Sequence, residues 1–169
     1  AEAAGCDPTD VADFDLQLCD VQPSTIGGAK NEYIFSGRLD NLASCFASLT
    51  ALIDATDDER STLADETGIR MLVHYDHEEV GSASTSGAQG PFLVDVLRRV
   101  HAQLGDGSED GWVRLIQASR LISCDNAHAL HPNFADKHDA AHGPSINGGP
   151  VIKVNANQRY ATNSATSAL

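Results

Sequence analysis

The chain is poor in several residue types, and each shortage excludes something. It has only three lysines (Lys30, Lys137 and Lys153) and carries a formal net charge of −13. A field of that sign repels nucleic acid and anionic membrane, so neither is an expected partner. It would repel acidic small molecules too, unless a fixed local cation overrides it. No apolar run approaches the roughly 18 residues that a membrane-spanning helix needs. The four cysteines, Cys6, Cys19, Cys45 and Cys124, include no pair at CxxC spacing. A structural zinc knuckle is therefore not expected. Cys45 and Cys124 lie in apolar stretches and read as buried thiols, which suits a reducing, cytoplasmic compartment. No leader pattern opens the chain. The stretches AEAAGCDPTD and RYATNSATSAL read as interior to a longer polypeptide, the latter opening a helix capped by Asn163 or Ser164.

What is present is enough for one domain with a core. There are 169 residues, 41% of them hydrophobic, with 14 glycines and 6 prolines, which suits a loop-rich α/β or α+β fold. Residues 12–22 alternate through Phe14, Leu16 and Leu18, the pattern of a strand with one exposed face. PSTIGGAK breaks it, and residues 32–36 form a short strand. Residues 40–54 place Leu42, Cys45, Phe46, Leu49, Leu52 and Ile53 at helical spacing, with Asp40 or Asn41 at the N-cap. Residues 69–75 predict a strand, and residues 91–104 a helix with Pro91 in its first turn. Residues 112–119 predict a short helix. Residues 120–125 and 150–155 predict strands on either side of a loop rich in His, Pro, Asn and Gly. The alternation favours a layered α/β fold.

Four carboxylates stand where strands hand over to loops: Asp40 in SGRLDN, Glu78 and Glu79 in YDHEEVGS, and Asp125 in SCDNAHALHPN. Adjacent glutamates repel unless a cation or proton intervenes. One could bind metal while its neighbour moves a proton from bound water, the layout of a two-metal hydrolase. Each residue also has a plainer reading. Asp40 is either a helix cap or a metal bridge. The glutamates are either a solvated acidic loop or a metal-and-base pair. Asp125 is either a carboxylate bonding nearby amides or a metal ligand, with His128 and His131 close behind.

The histidines divide similarly. His74, inside an apolar run, reads as a core histidine. His77 adjoins the glutamates and could support a ligand from behind. His138 and His142 have i, i+4 spacing in a loop context, and His101 reads as structural or exposed. Lys153, the lone cation of PVIKVN, is either an exposed strand lysine or a reader of a substrate carboxylate.

In order, FDLQLCDVQPSTIGGAKNEYIFSGRLDNLASCFASL, YDHEEVGSASTSGAQGPFL, SCDNAHALHPNFADKHD and GPVIKVNANQRYATN resemble the aspartyl aminopeptidase family of dinuclear-zinc metallopeptidases. The resemblance covers nearly the whole chain. It implies a three-layer α/β/α catalytic domain around a mixed sheet, interrupted by an insertion domain. Residues 1–21 would be the end of that insertion, and residues 22–169 the central-to-late part of the catalytic domain. It further implies release of N-terminal Asp or Glu from peptides and assembly into a homo-oligomer, usually a dodecamer.

By matching motifs, Asp40 resembles the aspartate bridging both metals, with a cis peptide bond to Asn41. Glu78 resembles the general base, Glu79 the ligand of one zinc and Asp125 that of the other. Lys153 resembles the lysine contacting the acidic side chain of the substrate, and His128 a histidine near the same subsite. One departure is large. The family's metal-binding histidines come from an early segment and a late Met-His-Ser-type motif, and neither motif occurs here. Catalytic zinc usually takes at least three protein ligands, so this stretch alone is expected to bind metal poorly and hydrolyse little. The missing donors would come from companion fragments or be absent. Two rivals remain: a deacylase or other two-metal enzyme on the same scaffold, and a non-enzymatic assembly or cargo role.

Overall fold

The computed structural model describes residues 2–57, 63–155, 160 and 162–168. The chain divides into two compact units, Ala1–Leu42 and Ala43–Leu169.

In the first unit, β1 (Thr25–Gly27) pairs antiparallel with β2 (Tyr33–Phe35), Ile26 facing Ile34 across the ladder. The turn between them uses left-handed backbone at Gly28 (φ 97°) and Asn31 (φ 56°), residue types that tolerate it. The Ser24 and Ser36 hydroxyls share a hydrogen bond of 2.6 Å just beyond the ladder. The second strand was expected. The first lies inside the stretch read as a break, because the glycine pair marks the turn that a strand enters.

Helix α1 (Leu39–Thr56) runs where the helical spacing placed it. Leu42 and Phe46 are among its exposed apolar side chains, Phe46 at 73%. Cys45, Ser48 and Leu52 are half-buried, so the face turned inward is rotated from the most apolar one. Near the end of α1, Arg70 donates to the Ala55 carbonyl and pairs with Glu66 at 2.7 Å. That satisfies one carbonyl near the helix terminus.

Helices α2 (Phe92–Leu104) and α3 (Glu109–Ala118) form a hairpin. Pro91 stands at the start of α2 without a side-chain cap bond, and the Ser108 hydroxyl caps α3 by accepting from the Gly111 amide at 2.9 Å. Glu109 and Asp110 follow, where negative charge favours a helix start. Arg98 stacks 4.6 Å over Trp112 and pairs with Glu109 at 2.8 Å, joining the two helices. Leu93 and Val96 on α2 face Met71, Leu72 and Val73 across an apolar cleft of about 320 Å³.

Asp106 anchors the hairpin loop. The Ser108 backbone amide, then its hydroxyl, then Arg114 and His101 hold its carboxyl below the usual range, against a desolvation cost. Because the folded value is the lower one, this contribution is complete above the unfolded value and vanishes as pH falls through the folded value. Helical ellipticity is therefore expected to hold from neutrality and drop below about pH 4. Asp106→Asn should flatten the part of that titration belonging to the hairpin, as circular dichroism would read.

The expected strands at 12–22, 69–75, 120–125 and 150–155 carry no strand pairing among the described residues. The physical reason is that a ladder needs a neighbour, and apolar alternation supplies only the face. Leu121 (83% exposed) and Ile152 (89%) show how little those runs are covered. No hydrophobic side chain is fully buried among the described residues. Cys124, expected inside, is exposed for the same reason. At the far end the expected helix start is a turn over residues 164–168, at whose start Asn163 Oδ1 accepts from the Thr166 amide at 3.0 Å.

Candidate active site

Asp40 sits at a break in the chain. Asp40 (φ −83°, ψ 108°) and Asn41 (φ −116°, ψ 23°) lie outside helical geometry, so the regular body of α1 begins after them. The peptide bond between them is cis, and the Leu42 amide reaches back to the Arg38 carbonyl at 3.1 Å.

Glu78 and Glu79 stand on a tightly bonded loop. The Gly81 amide donates to the Glu78 carbonyl at 2.9 Å, and the Ser82 amide to the His77 carbonyl at 2.8 Å. The Asp76 amide reaches Ser86 O at 3.1 Å, and Gln89 reaches Ser82 O at 3.2 Å. Gly87 is buried, and a Cβ there would meet Ser82 O at 2.2 Å, so no larger residue fits without moving the backbone. Both glutamate residues are exposed. His77 turns into this loop, its Nδ1 sharing a hydrogen bond with Ser84 Oγ at 2.7 Å.

Asp125 and Lys153 meet directly. The ammonium donates to Asp125 Oδ2 at 2.8 Å and to the Asn126 carbonyl at 2.7 Å. The Lys153 side chain is 33% exposed and that of Asp125 44%, so solvent screens the pair only in part. Ser44 on α1 donates to Asn126 Oδ1 at 2.7 Å, tying that helix to the same stretch. Beside Lys153 opens a cleft of about 460 Å³ lined by Ala127, His128, Pro144, Val151 and Tyr160. Lys153 and His128, 25 positions apart, thus share one cleft.

The histidines also make local contacts. His131 Nδ1 accepts from the Asn133 amide at 3.1 Å and caps the 3-10 turn Pro132–Lys137. His128 lies edge-on to His138 at 5.0 Å. His74 is exposed rather than in a core, because its strand does not form, and its Nε2 stands 3.4 Å from Ser48 Oγ.

Three site contributions were not legible beforehand. Ser44 looked like one more small helical residue, Asn126 like loop filler, and Ser84 like part of a small-residue stretch. For Ser84 a local signal exists: a serine three residues before a glycine, whose amide it caps at 3.0 Å.

Zinc demands three or more converging donors. Among the described residues no group of three or more His, Cys, Asp or Glu converges to hold a metal ion. Within the second unit, Glu79 and Asp125 therefore lack enough converging described donors to fit a zinc ion. The Lys153 ammonium takes up one of the two Asp125 carboxylate oxygens, Oδ2.

The family model described as Aminopeptidase I zinc metalloprotease (M18) matches residues 1–169. The chain belongs to this M18 family of aminopeptidases. It is 56% identical over 165 residues to a probable aspartyl aminopeptidase of Ricinus communis, covering 98% of this chain and 33% of that protein. It is 55% identical over 159 residues to a probable M18 family aminopeptidase 2 of Ectopseudomonas mendocina (strain ymp), covering 94% and 34%. The chain therefore spans about a third of the length of the curated relatives it matches. Among solved structures it is similar to Chaetomium thermophilum mApe1, with a TM-score of 0.56 and 28% identity over 75% of this chain and 28% of that one.

Proposed function

We propose that residues 22–169 belong to the catalytic domain of a dinuclear-zinc aminopeptidase that releases N-terminal Asp or Glu from peptides. Residues 1–21 then close its insertion domain. The observation that carries this is the half-buried Lys153 ammonium beside an open cleft, in a chain of net charge −13. Without a fixed cation there, an acidic peptide would be repelled. The relative named aspartyl aminopeptidase points the same way.

In this reading Glu78 takes a proton from the attacking water and returns it to the leaving amine. Lys153, with His128 across the cleft, orients the substrate through its acidic side chain. Asp40, Glu79 and Asp125 are this chain's contribution to zinc, and imidazole donors from outside this stretch complete the set. The stretch alone is expected to be inactive. In the complete protein, the unpaired apolar runs become strands of a three-layer α/β/α sheet, and the enzyme is a cytoplasmic homo-oligomer, a dodecamer.

A panel of peptides differing only at the first residue tests the reading. The complete protein should release Asp and Glu and leave Ala and Lys largely attached. Equal release from all four, or cleavage of acylated amino acids instead, would replace this reading with that of a broader aminopeptidase or a deacylase.

A further inference from the structure

The loop that carries Glu78 and Glu79 is held in part by the His77 imidazole, which bonds Ser84. We propose that His77 is a positioning residue: its bond to Ser84 clamps the turn bearing both glutamates and thereby sets the direction of their carboxylates. This rests on the aminopeptidase reading above.

The glutamates lie inside a small closed ring. It begins at His77 and ends at Ser82, whose amide returns to the His77 carbonyl at 2.8 Å. Both end residues are left-handed, His77 at φ 61° and Ser82 at φ 62°. Neither is a glycine, so the surrounding bonds must hold that conformation. Ser84 supplies the hold from outside the ring. Its Oγ pairs with His77 Nδ1 at 2.7 Å while accepting from the Gly87 amide at 3.0 Å. Gly87 is itself fixed, buried with Ser82 O too close for any Cβ. The imidazole therefore links the ring to the rigid part of the loop. Gln89 already ties the far end of the ring, its amide donating to the Ser82 carbonyl and its side chain to the Gly81 carbonyl, both at 3.2 Å, so cutting the imidazole link loosens the His77 end, from which the glutamates follow. A misplacement of about 1 Å costs on the order of 100-fold in rate.

The test uses the complete enzyme and four variants: His77→Ala, Ser84→Ala, their double and His77→Asn. Asparagine puts a polar atom at the branch point that Nδ1 occupies and tolerates left-handed backbone. Ser84→Ala breaks the same bond without touching position 77. Each alanine variant should lower kcat about 10–100-fold with KM within about two-fold. The double variant should be no worse than Ser84→Ala alone, which loses the imidazole bond and also its hold on the Gly87 amide. His77→Asn should recover most of the loss. A kcat near that of the parent in either alanine variant, multiplying losses, or no recovery with asparagine would overturn the proposal.

Amide exchange at Ser82 and Gln89 in the complete enzyme separates the two claims. Failure of the parent enzyme to release Asp sinks the aminopeptidase reading alone. Faster exchange in both alanine variants supports the clamp in either case, and unchanged exchange overturns it.

Discussion

Glu78→Gln in the complete enzyme should bind zinc as the parent does and lose turnover by about 10²–10⁴-fold, the range for removing a general base. Gln has the size of Glu and can still hydrogen-bond, but it cannot take a proton from water at neutral pH. The backbone of the turn does not depend on the side chain: the Gly81 amide bonds the Glu78 carbonyl, and Ser82 closes onto His77. The loop should therefore keep its shape and the neighbouring Glu79 its direction. Metal content by mass spectrometry and the rate on an Asp-peptide are measured on the same preparation. Retained zinc with a lost rate places the proton transfer on Glu78. Retained zinc with a near-parent rate removes that role, and loss of zinc would make Glu78 a ligand instead.

Lys153→Met should abolish the preference for acidic first residues. A charge-assisted hydrogen bond in a partly dry site is worth about 1.5–3 kcal/mol, or about 10–100-fold in kcat/KM on Asp- and Glu-peptides. Methionine keeps most of the stem volume and removes the ammonium, so neutral peptides should change by less than about three-fold. The comparison matters because Lys153 also holds Asp125 at 2.8 Å and the Asn126 carbonyl at 2.7 Å. If the lysine serves only to support Asp125, every peptide should suffer equally. A loss confined to acidic peptides assigns it to the substrate, and an equal loss across the panel assigns it to Asp125.

The helices were readable because their information is local. Leu93 and Val96 recur at helical spacing and Pro91 opens α2, whereas α3 begins at Glu109 rather than at the expected residue 112, because Ser108 and the acidic first turn after it have the composition of a surface loop. The strands were not readable to the same degree, because a strand is half of an interaction. The run around Leu121 and Ile122 has the composition of a buried strand, yet no neighbour among the described residues accepts its hydrogen bonds. The site divides along the same line. The motif around Asp40 carried its cis bond to Asn41 through family likeness alone, and the structure has that bond. The ion pair of Lys153 with Asp125 joins residues 28 apart, and neither motif hints at it. His131 looked like a candidate beside Asp125 and is a cap for its own turn. Such roles depend on where side chains point, which spacing does not encode.

The most direct measurement is X-ray diffraction from crystals of the complete protein, with data collected on both sides of the zinc absorption edge. The account predicts paired anomalous peaks with carboxylate oxygens of Asp40, Glu79 and Asp125 about 2.0–2.2 Å away, and Glu78 beside them without a bond to metal. Peaks lying elsewhere, with these carboxylates turned apart in an enzyme that still cleaves Asp-peptides, would contradict it.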